Sequence, residues 1–438
     1  MFSRLYNFWQ LLRGNLWFIP GVFCLVYSLI TLGLFWFEDH FFPDLELPSF
    51  LFNGTVQDAK AVTLALLAAM ITMVTLVISI TMVALSMSAS QLGPRLIKSF
   101  MADRKTQIYI GIFFGSVFAC FMLTFILHGS QIRDNIPRIS ACFVYGLCFA
   151  NLFVLLGFVH HVSRSSIADN VVLKVSHQLS DNLRRLTAQK KNRRSDFEDV
   201  KKDWPESFEN EAMRIPSQST GYVQNIDYDR MVAWASNHQV HLKVLFHAGF
   251  FLMEGENCME LYPAKDLNED VLADLWDSVI IGKERTPTQD LEYSIRHLVE
   301  IATRALSPGI NDSFTAILVV DQLAAALTKL FQREVPGEWI LEKNGTCRVF
   351  GKQLHECEIV FNAFNQIRHH GRDTPLVVEC LLERLATLFQ FAETNSQAQG
   401  LKTQVQAIQD HLQRTRTYFP YKESMLFSCA KLLEMKDS

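Results

Sequence analysis

The sequence predicts an α-helical membrane protein with four transmembrane helices, followed by a cytoplasmic small β-rich domain and an α-helical C-terminal domain. Three observations predict it. Long uncharged apolar runs are concentrated before His161, and basic residues gather at alternate ends of them. Further on, one stretch alternates with period two before helical periodicity takes over. The expected layout is a membrane domain over 1–165, with spans near 15–37, 61–90, 108–127 and 140–160. A helix and charged linker follow over 166–217, then the β-rich domain over 218–265 and the helical domain over 266–438.

Arg4 and Arg13 precede the first uncharged run, Asn15 to Phe37. The run is long enough to span and lacks a small-residue cleavage site after it, so it reads as a retained anchor rather than a signal peptide. Trp17, Trp36 and Phe37 sit near its ends, as an aromatic belt requires. The loop from Glu38 to Lys60 is acidic, and its Asn53-Gly54-Thr55 fits a glycosylation sequon. Nothing else suggests a secretory eukaryotic protein.

The second run is the most informative. No charge appears between Lys60 and Arg95, a length that as a helix exceeds about 30 Å of bilayer hydrocarbon. Its Ser-rich end is expected to project. At 100° per residue, Ala61, Ala65, Ala68, Thr72, Thr75, Ser79, Ser86 and Ser90 fall in one sector roughly 80° wide. Thr63, Thr81 and Ser88 lie on the far side. Two readings of the stripe stand. Small residues let helices approach closely, and Ser or Thr hydroxyls bond back to the preceding turn. Alternatively, the hydroxyls line a water-filled path in an oligomer.

Pro94 stops this pattern, and Arg95, Lys98, Arg104 and Lys105 follow. The third span carries Gly111, Gly115 and Ala119 at spacings suited to close helix contact. A basic stretch including Arg164, Lys174, Arg184 and Arg185 follows the fourth. By the positive-inside rule both termini are cytoplasmic, although Arg133 and Arg138 on the short outer turn run against it.

From Ile167 to about Leu186 the pattern is helical, and Lys190 to Asn210 reads as a charged linker. Val240, Leu242, Val244 and Phe246 alternate as a half-buried strand does, and Gly249 and Gly255 mark turns. The remainder reads as helical. Glu292, Arg296, Glu300 and Arg304 form an i,i+4 ladder along one face, ended by Ser307-Pro308-Gly309. Asn311 or Asp312 is suited to cap the next helix.

A net charge of −4 argues against a nucleic-acid partner. The nine cysteines contain no C-x-x-C pair and read as free thiols in a reducing compartment. No nucleotide loop, zinc spacing or nucleophile elbow is present. His355-Glu356-Cys357 and His369-His370 lack supporting ligands, so neither a metal nor a cofactor is expected. His238, His241 and His247 read as surface residues, and His160-His161 as headgroup-level residues. In the soluble part Arg285, Asp290, Ser307, Asn311 and Asp312 stand out. Ser307, Asn311 and Asp312 either cap a tight helix-turn-helix or help a helix N-terminus hold an anion, against which Asp312 competes. Arg285 with Asp290 is placed to pin this hairpin to its neighbour or to another subunit.

Ser79 to Gln107 and Glu284 to Ala316 resemble the signatures of the domain-of-unknown-function 2254 family of predicted bacterial membrane proteins. Gly221 to Asp227 and Ala363 to Gly371 are similar to weaker stretches of it, so the resemblance covers nearly the whole chain. Ser313 departs from the family's usual Pro after Asn-Asp, and His247-Ala248 stands where a Pro often precedes Gly249. The resemblance implies a four-span inner-membrane protein with a cytoplasmic C-terminal region and supplies no activity.

With no ionisable group inside the second span, proton-coupled transport is disfavoured. The expectation is a non-enzymatic, homo-oligomeric channel-like protein that passes ions. Thr72, Thr75, Ser79, Ser86 and Ser90 would line the axis, and Arg95, Lys98, Arg104 and Lys105 the inner mouth. The alternative is a membrane-tethered scaffold or sensor whose cytoplasmic module binds a partner or small anion.

Overall fold

A computed structural model describes residues 17–41, 55–94, 97, 100–101, 103–130, 136–165, 167–189, 204–265, 267–335, 337–342, 345–416 and 418–435. Arg95, Lys98, Arg133, the Asn53-Gly54 part of the sequon and most of the charged linker lie outside them. The chain divides into two compact units, 1–170 and 171–438.

Unit 1 holds four long helices: α1 (Phe18–Phe41), α2 (Val56–Leu92), α3 (Arg104–Ser130) and α4 (Arg138–Ser165). All four are long and apolar enough to cross a membrane. Each extends past the expected span at one end or both. Thr55 and Asp58 form a capping box at the start of α2, and Gly93 ends it with φ 114°. The central helix is α3, with Phe113, Ala119, Cys120, Leu123 and Leu127 buried. Its small residues seat α1. A Cβ at Gly111 would lie 2.8 Å from the Phe23 ring, and one at Gly115 2.9 Å from the Tyr27 ring. This is the close approach that their spacing predicted.

Three polar details fix the bundle. Glu38, expected in a loop, is buried in the last turn of α1. Its carboxylate accepts the backbone N–H groups of Arg138 and Ile139 at 2.6 and 3.0 Å, capping α4 from a neighbouring helix. Asn151 Nδ2 of α4 donates to Ser116 Oγ of α3 at 2.7 Å. Asp103, just before α3, meets His161 Nε2 of α4 at 2.9 Å, so that histidine is a helix-to-helix contact as well.

Unit 2 takes in most of α5 (Ala168–Leu186), which begins three residues after α4 ends. Its strands are β1 (Ala188–Gln189), β2 (Met213–Pro216), β3 (Gly221–Ile226), β4 (His241–Val244), β5 (Phe251–Leu252), β6 (Asn257–Tyr262), β7 (Val279–Gly282), β8 (Arg333–Glu334), β9 (Trp339–Leu341) and β10 (Cys347–Gly351). Its remaining helices are α6 (Phe208–Glu211), α7 (Tyr228–His238), α8 (Glu269–Trp276), α9 (Glu292–Ala305), α10 (Ser313–Phe331), α11 (Glu356–Gly371), α12 (Pro375–Phe391), α13 (Asn395–Arg414) and α14 (Lys422–Glu434).

A five-stranded sheet runs β2-β6-β4-β10-β9, with β4 and β10 parallel and the other pairs antiparallel. Among the described residues, a three-stranded sheet, β5-β3-β7, and the β1-β8 pair account for the other strands. The 266–438 stretch expected to be helical therefore carries four strands, and β10 sits inside the sheet begun by 213–262. It pairs in parallel with β4, about a hundred residues away, and antiparallel with its neighbour β9 across the turn at Gly345. Val240, Leu242, Val244 and Phe246 are buried as their alternation predicted, and Gly249 and Gly255 take positive φ at the turns. A fifth helix, α10, is also long and apolar enough to cross a membrane. Its Val319, Val320, Leu323 and Phe331 are buried within unit 2.

Candidate functional site

In unit 1 the α2 stripe is the candidate. Ala61, Ala65, Ala68, Thr72, Thr75, Ser79, Ser86 and Ser90 are all exposed. The buried residues of α2 are Val56, Ala59, Thr63, Met70, Val74, Val77, Thr81, Ser88 and Leu92. At 100° per residue their mean direction is about 170° from the stripe's centre. The stripe therefore lies diametrically opposite the helix's packing face, and the hydroxyls on the far side are the ones packed inside unit 1. Thr72 and Thr75 donate to the carbonyls of Ala68 and Ile71 at 3.0 and 2.9 Å, and Ser90 to that of Met87 at 2.9 Å. These hydroxyls are satisfied without solvent. Arg104 and Lys105 are exposed at the first turn of α3.

In unit 2 the five singled-out residues fall into two groups. Arg285 and Asp290 form one. The guanidinium donates to both Asp290 oxygens, Nε to Oδ2 at 2.6 Å and Nη2 to Oδ1 at 2.8 Å. Asp290 is 1% exposed and Glu292 2%. Glu292, expected to pair with Arg296 on an i,i+4 ladder, receives Arg296 Nη2 at 3.0 Å and also Arg285 Nη2 at 3.3 Å and the Asn362 amide. Burial works to lower the Arg285 pKa, but the hydrogen bonds it donates to Asp290 and the charges of both carboxylates outweigh it and hold the guanidinium above its ordinary range. Gly249 makes room for the pair: at φ 89°, a Cβ there would lie 2.5 Å from Arg285 Nη2 and from Asp290 Oδ2.

Ser307, Asn311 and Asp312 lie at the other end of α9, about 20 Å along its axis. They make a capping turn. Asn311 (φ 52°) donates its N–H to the Ser307 carbonyl at 2.9 Å. Asp312 accepts the Thr315 N–H at 3.1 Å and the Thr315 hydroxyl at 2.5 Å. The side chain that could have left α10's N-terminus open to an anion thus occupies it.

The Arg285 group borders a cleft of about 760 Å³ within unit 2. Tyr222, His247 and Phe251 come from the sheet side, Glu292 and Arg296 from α9, Phe361 and Asn362 from α11, and Gly400 and Thr403 from α13. His247 Nδ1 lies 2.8 Å from its neighbour's carbonyl, that of Ala248. Among the described residues no three His, Cys, Asp or Glu side chains converge as a metal group. The carboxylate of Glu292 is occupied by its three donors, so it holds the wall rather than acting as a base. The exposed edge of Arg296 and the Phe251 and Phe361 rings face what enters. Sequence periodicity gave Arg296 as a surface ladder residue and carried no signal for the aromatic wall, which three distant segments assemble.

A family model described as a predicted membrane protein (DUF2254) matches residues 13–387. Among curated proteins the chain is similar to the uncharacterized proteins MT1328 and Rv1290c of Mycobacterium tuberculosis and Mb1321c of Mycobacterium bovis. Each is 27% identical over 378 residues, 83% of this chain and 70% of the relative. No solved structure matches.

Proposed function

Since the chain belongs to the DUF2254 family of predicted membrane proteins, we propose that it is a multi-pass, non-enzymatic membrane protein that assembles with further copies of itself as a channel-like oligomer. In this reading α1 to α4 span a bacterial inner membrane with both termini cytoplasmic, and α10 is a core helix of unit 2. The observation that carries it is the direction of the α2 stripe, opposite the helix's own packing face. Small residues on an outward face permit close approach of a second backbone, which lipid does not require. Around an axis, Thr72, Thr75, Ser79, Ser86 and Ser90 would offer hydroxyls to passing ions. Arg104 and Lys105, with Arg95 and Lys98, would line the inner mouth.

Single-channel recording from purified protein in planar bilayers tests this. Thr72→Leu and Ser79→Leu should reduce or abolish the conductance; unchanged currents in both refute the pore. The cleft of about 760 Å³ favours a second reading, a membrane-tethered sensor whose cytoplasmic module binds a partner or small anion. An oligomer with a dry or lipid-filled axis would favour that one.

A further inference from the structure

Helices α11 and α13 lie side by side in unit 2 and run in the same direction. Gln397 Nε2 donates to Glu356 Oε1 at 2.7 Å, and a Cβ at Gly400 would lie 2.9 Å from Cys357 Cα, so the helices start together. Further along, Arg368 Nε donates to Gln404 Oε1 at 3.1 Å, and His411 Nε2 lies 3.3 Å from Asp373 Oδ1. Asn362 of α11 and Thr403 of α13 line the cleft. Asn365 follows the first by one helical turn and Gln404 adjoins the second, so the Arg368 contacts lie in the same groove, just beyond the cleft.

Arg368 is placed differently from most arginines of unit 2. Arg230, Arg285, Arg296, Arg304 and Arg384 each meet a carboxylate. Arg368 is half-buried and, among the described residues, meets none. Its partners are the neutral amides of Gln404 and, at 2.7 Å, Asn365. With no opposite charge to offset it, burial pulls the Arg368 pKa below the ordinary arginine range. Arg285 goes the other way because Asp290 and Glu292 stand against it. The acids nearest along the two helices serve elsewhere. Asp373 is bridged by Arg372 at 3.4 Å as well as by His411, and Asp410 accepts Gln406 Nε2 at 2.9 Å. Glu358 is ten residues back, about 15 Å along the axis.

Gln404 supplies the second observation. It is 1% exposed, and its Nε2 is buried with no hydrogen-bond partner. Turning the amide round does not cure this, because Arg368 Nε can only donate and so fixes the Gln404 oxygen toward itself. By the dimensions of an amide, Nε2 is then at most about 5.5 Å from Arg368 Nε. Of the five N–H donors of a guanidinium, Gln404 and Asn365 take two and leave three. With the Gln404 Nε2 hydrogens they form a group of donors from which no described residue accepts. Buried donors left unpaired are costly. A positive charge, a fork of N–H groups and no local acceptor are what an oxyanion requires of a site.

We propose that Arg368 and Gln404 form an oxyanion site in the α11–α13 groove, which takes the carboxylate or phosphate group of a small soluble ligand. Arg368 brings the charge and the fork, Gln404 a buried donor that selects for an acceptor, and Asn365 holds the guanidinium in place. Half-burial leaves the guanidinium within reach of solvent. The inference deepens the sensor reading above and rests on it, naming where and by which chemistry that module holds a small anion.

The test uses the full-length protein in detergent, with inorganic phosphate and acetate as separate probes. Phosphate binding is read from the width of its phosphorus NMR line, acetate binding from its methyl proton line, and both from the melting of unit 2. The expected result is saturable broadening with the parent. Arg368→Met should weaken it about tenfold or more, and Gln404→Leu by less. Lys431→Gln, an exposed cation on α14, should leave it unchanged. Without either probe Arg368→Met should melt at or above the parent, because it removes a charge that no carboxylate offsets, and phosphate should then stabilise the parent more than the variant. Tighter binding of phosphate than of acetate assigns a phosphate ligand, and the reverse a carboxylate. An Arg368→Met variant that melts below the parent in probe-free buffer makes Arg368 structural and overturns the inference. Binding that survives Arg368→Met but is lost in Arg296→Gln puts the anion in the cleft, which overturns the inference and leaves the sensor reading standing. No saturable effect of either probe on the parent overturns the inference together with the small-anion part of that reading.

Discussion

Replacing Arg285 by Met removes the one cation that both Asp290 and Glu292 share. Glu292 keeps Arg296 and Asn362, so the orphan is Asp290, 1% exposed and left with the Glu292 N–H at 3.0 Å. Breaking a buried ion pair from one side costs about 3–5 kcal/mol, most of it the penalty on the charge left behind. At about 2–4 °C per kcal/mol for a unit of this size class, the melting temperature should fall by roughly 6–20 °C. Thermal unfolding of the full chain in detergent reads this through Trp234, Trp276 and Trp339, all within unit 2. The triple variant Arg285→Met, Asp290→Asn, Glu292→Gln separates charge from packing, because it removes the orphaned charge while keeping the shapes close. It should recover most of the loss. A single variant that melts with the parent, or a triple no better than the single, would refute the electrostatic account.

Three further outcomes follow from the packing. Gly249→Ala places a Cβ 2.5 Å from Arg285 Nη2 at φ 89°, so it should destabilise unit 2 by about 1–3 kcal/mol in the same melting assay; a neutral result would mean that the turn can shift. Gly115→Leu forces α1 off α3 at Tyr27 and the Phe23 carbonyl, and should lower detergent stability by about 1–3 kcal/mol while leaving the melting of unit 2 unchanged. Burial raises the thiols of Cys258 and Cys380 to about 12 and of Cys429 to about 11 from 9.0, and the Tyr228 phenol to about 12 from 10.0. A raised folded-state pKa favours the protonated fold. The stability is complete below about pH 9 and is lost as pH rises toward 12, because only the unfolded chain ionises there. Urea midpoints that stay constant above pH 9 would contradict this.

What the sequence revealed tracks how local each interaction is. The four long helices, the Asp312 cap and the buried alternation of Val240 to Phe246 depend on neighbours in sequence, and all were readable. The i,i+4 pairing of Glu292 with Arg296 was readable too, but its other two partners were not, because they are a loop arginine seven residues upstream and an asparagine 70 residues downstream. Glu38 was assigned to a loop because its carboxylate caps a helix 100 residues away. The β9–β10 hairpin has a local signal in Asn344-Gly345, whereas the parallel pairing of β10 with β4, about a hundred residues away, leaves none. For the α2 stripe, periodicity showed that one side is small. Only the packing of Val74, Val77 and Thr81 shows that this side faces away from unit 1.

The parallel pairing of β4 with β10 sets an order of events during synthesis. Val349 pairs with Leu242, so the middle of the five-stranded sheet closes only after α9 and α10 have been made. Until then β4 is an edge strand with an open row of backbone donors and acceptors. Such long-range closure is slow relative to helix formation. A ribosome-bound chain that has released 265 residues therefore carries a half-built sheet in need of protection. A fragment ending there should aggregate rather than fold as an independent module.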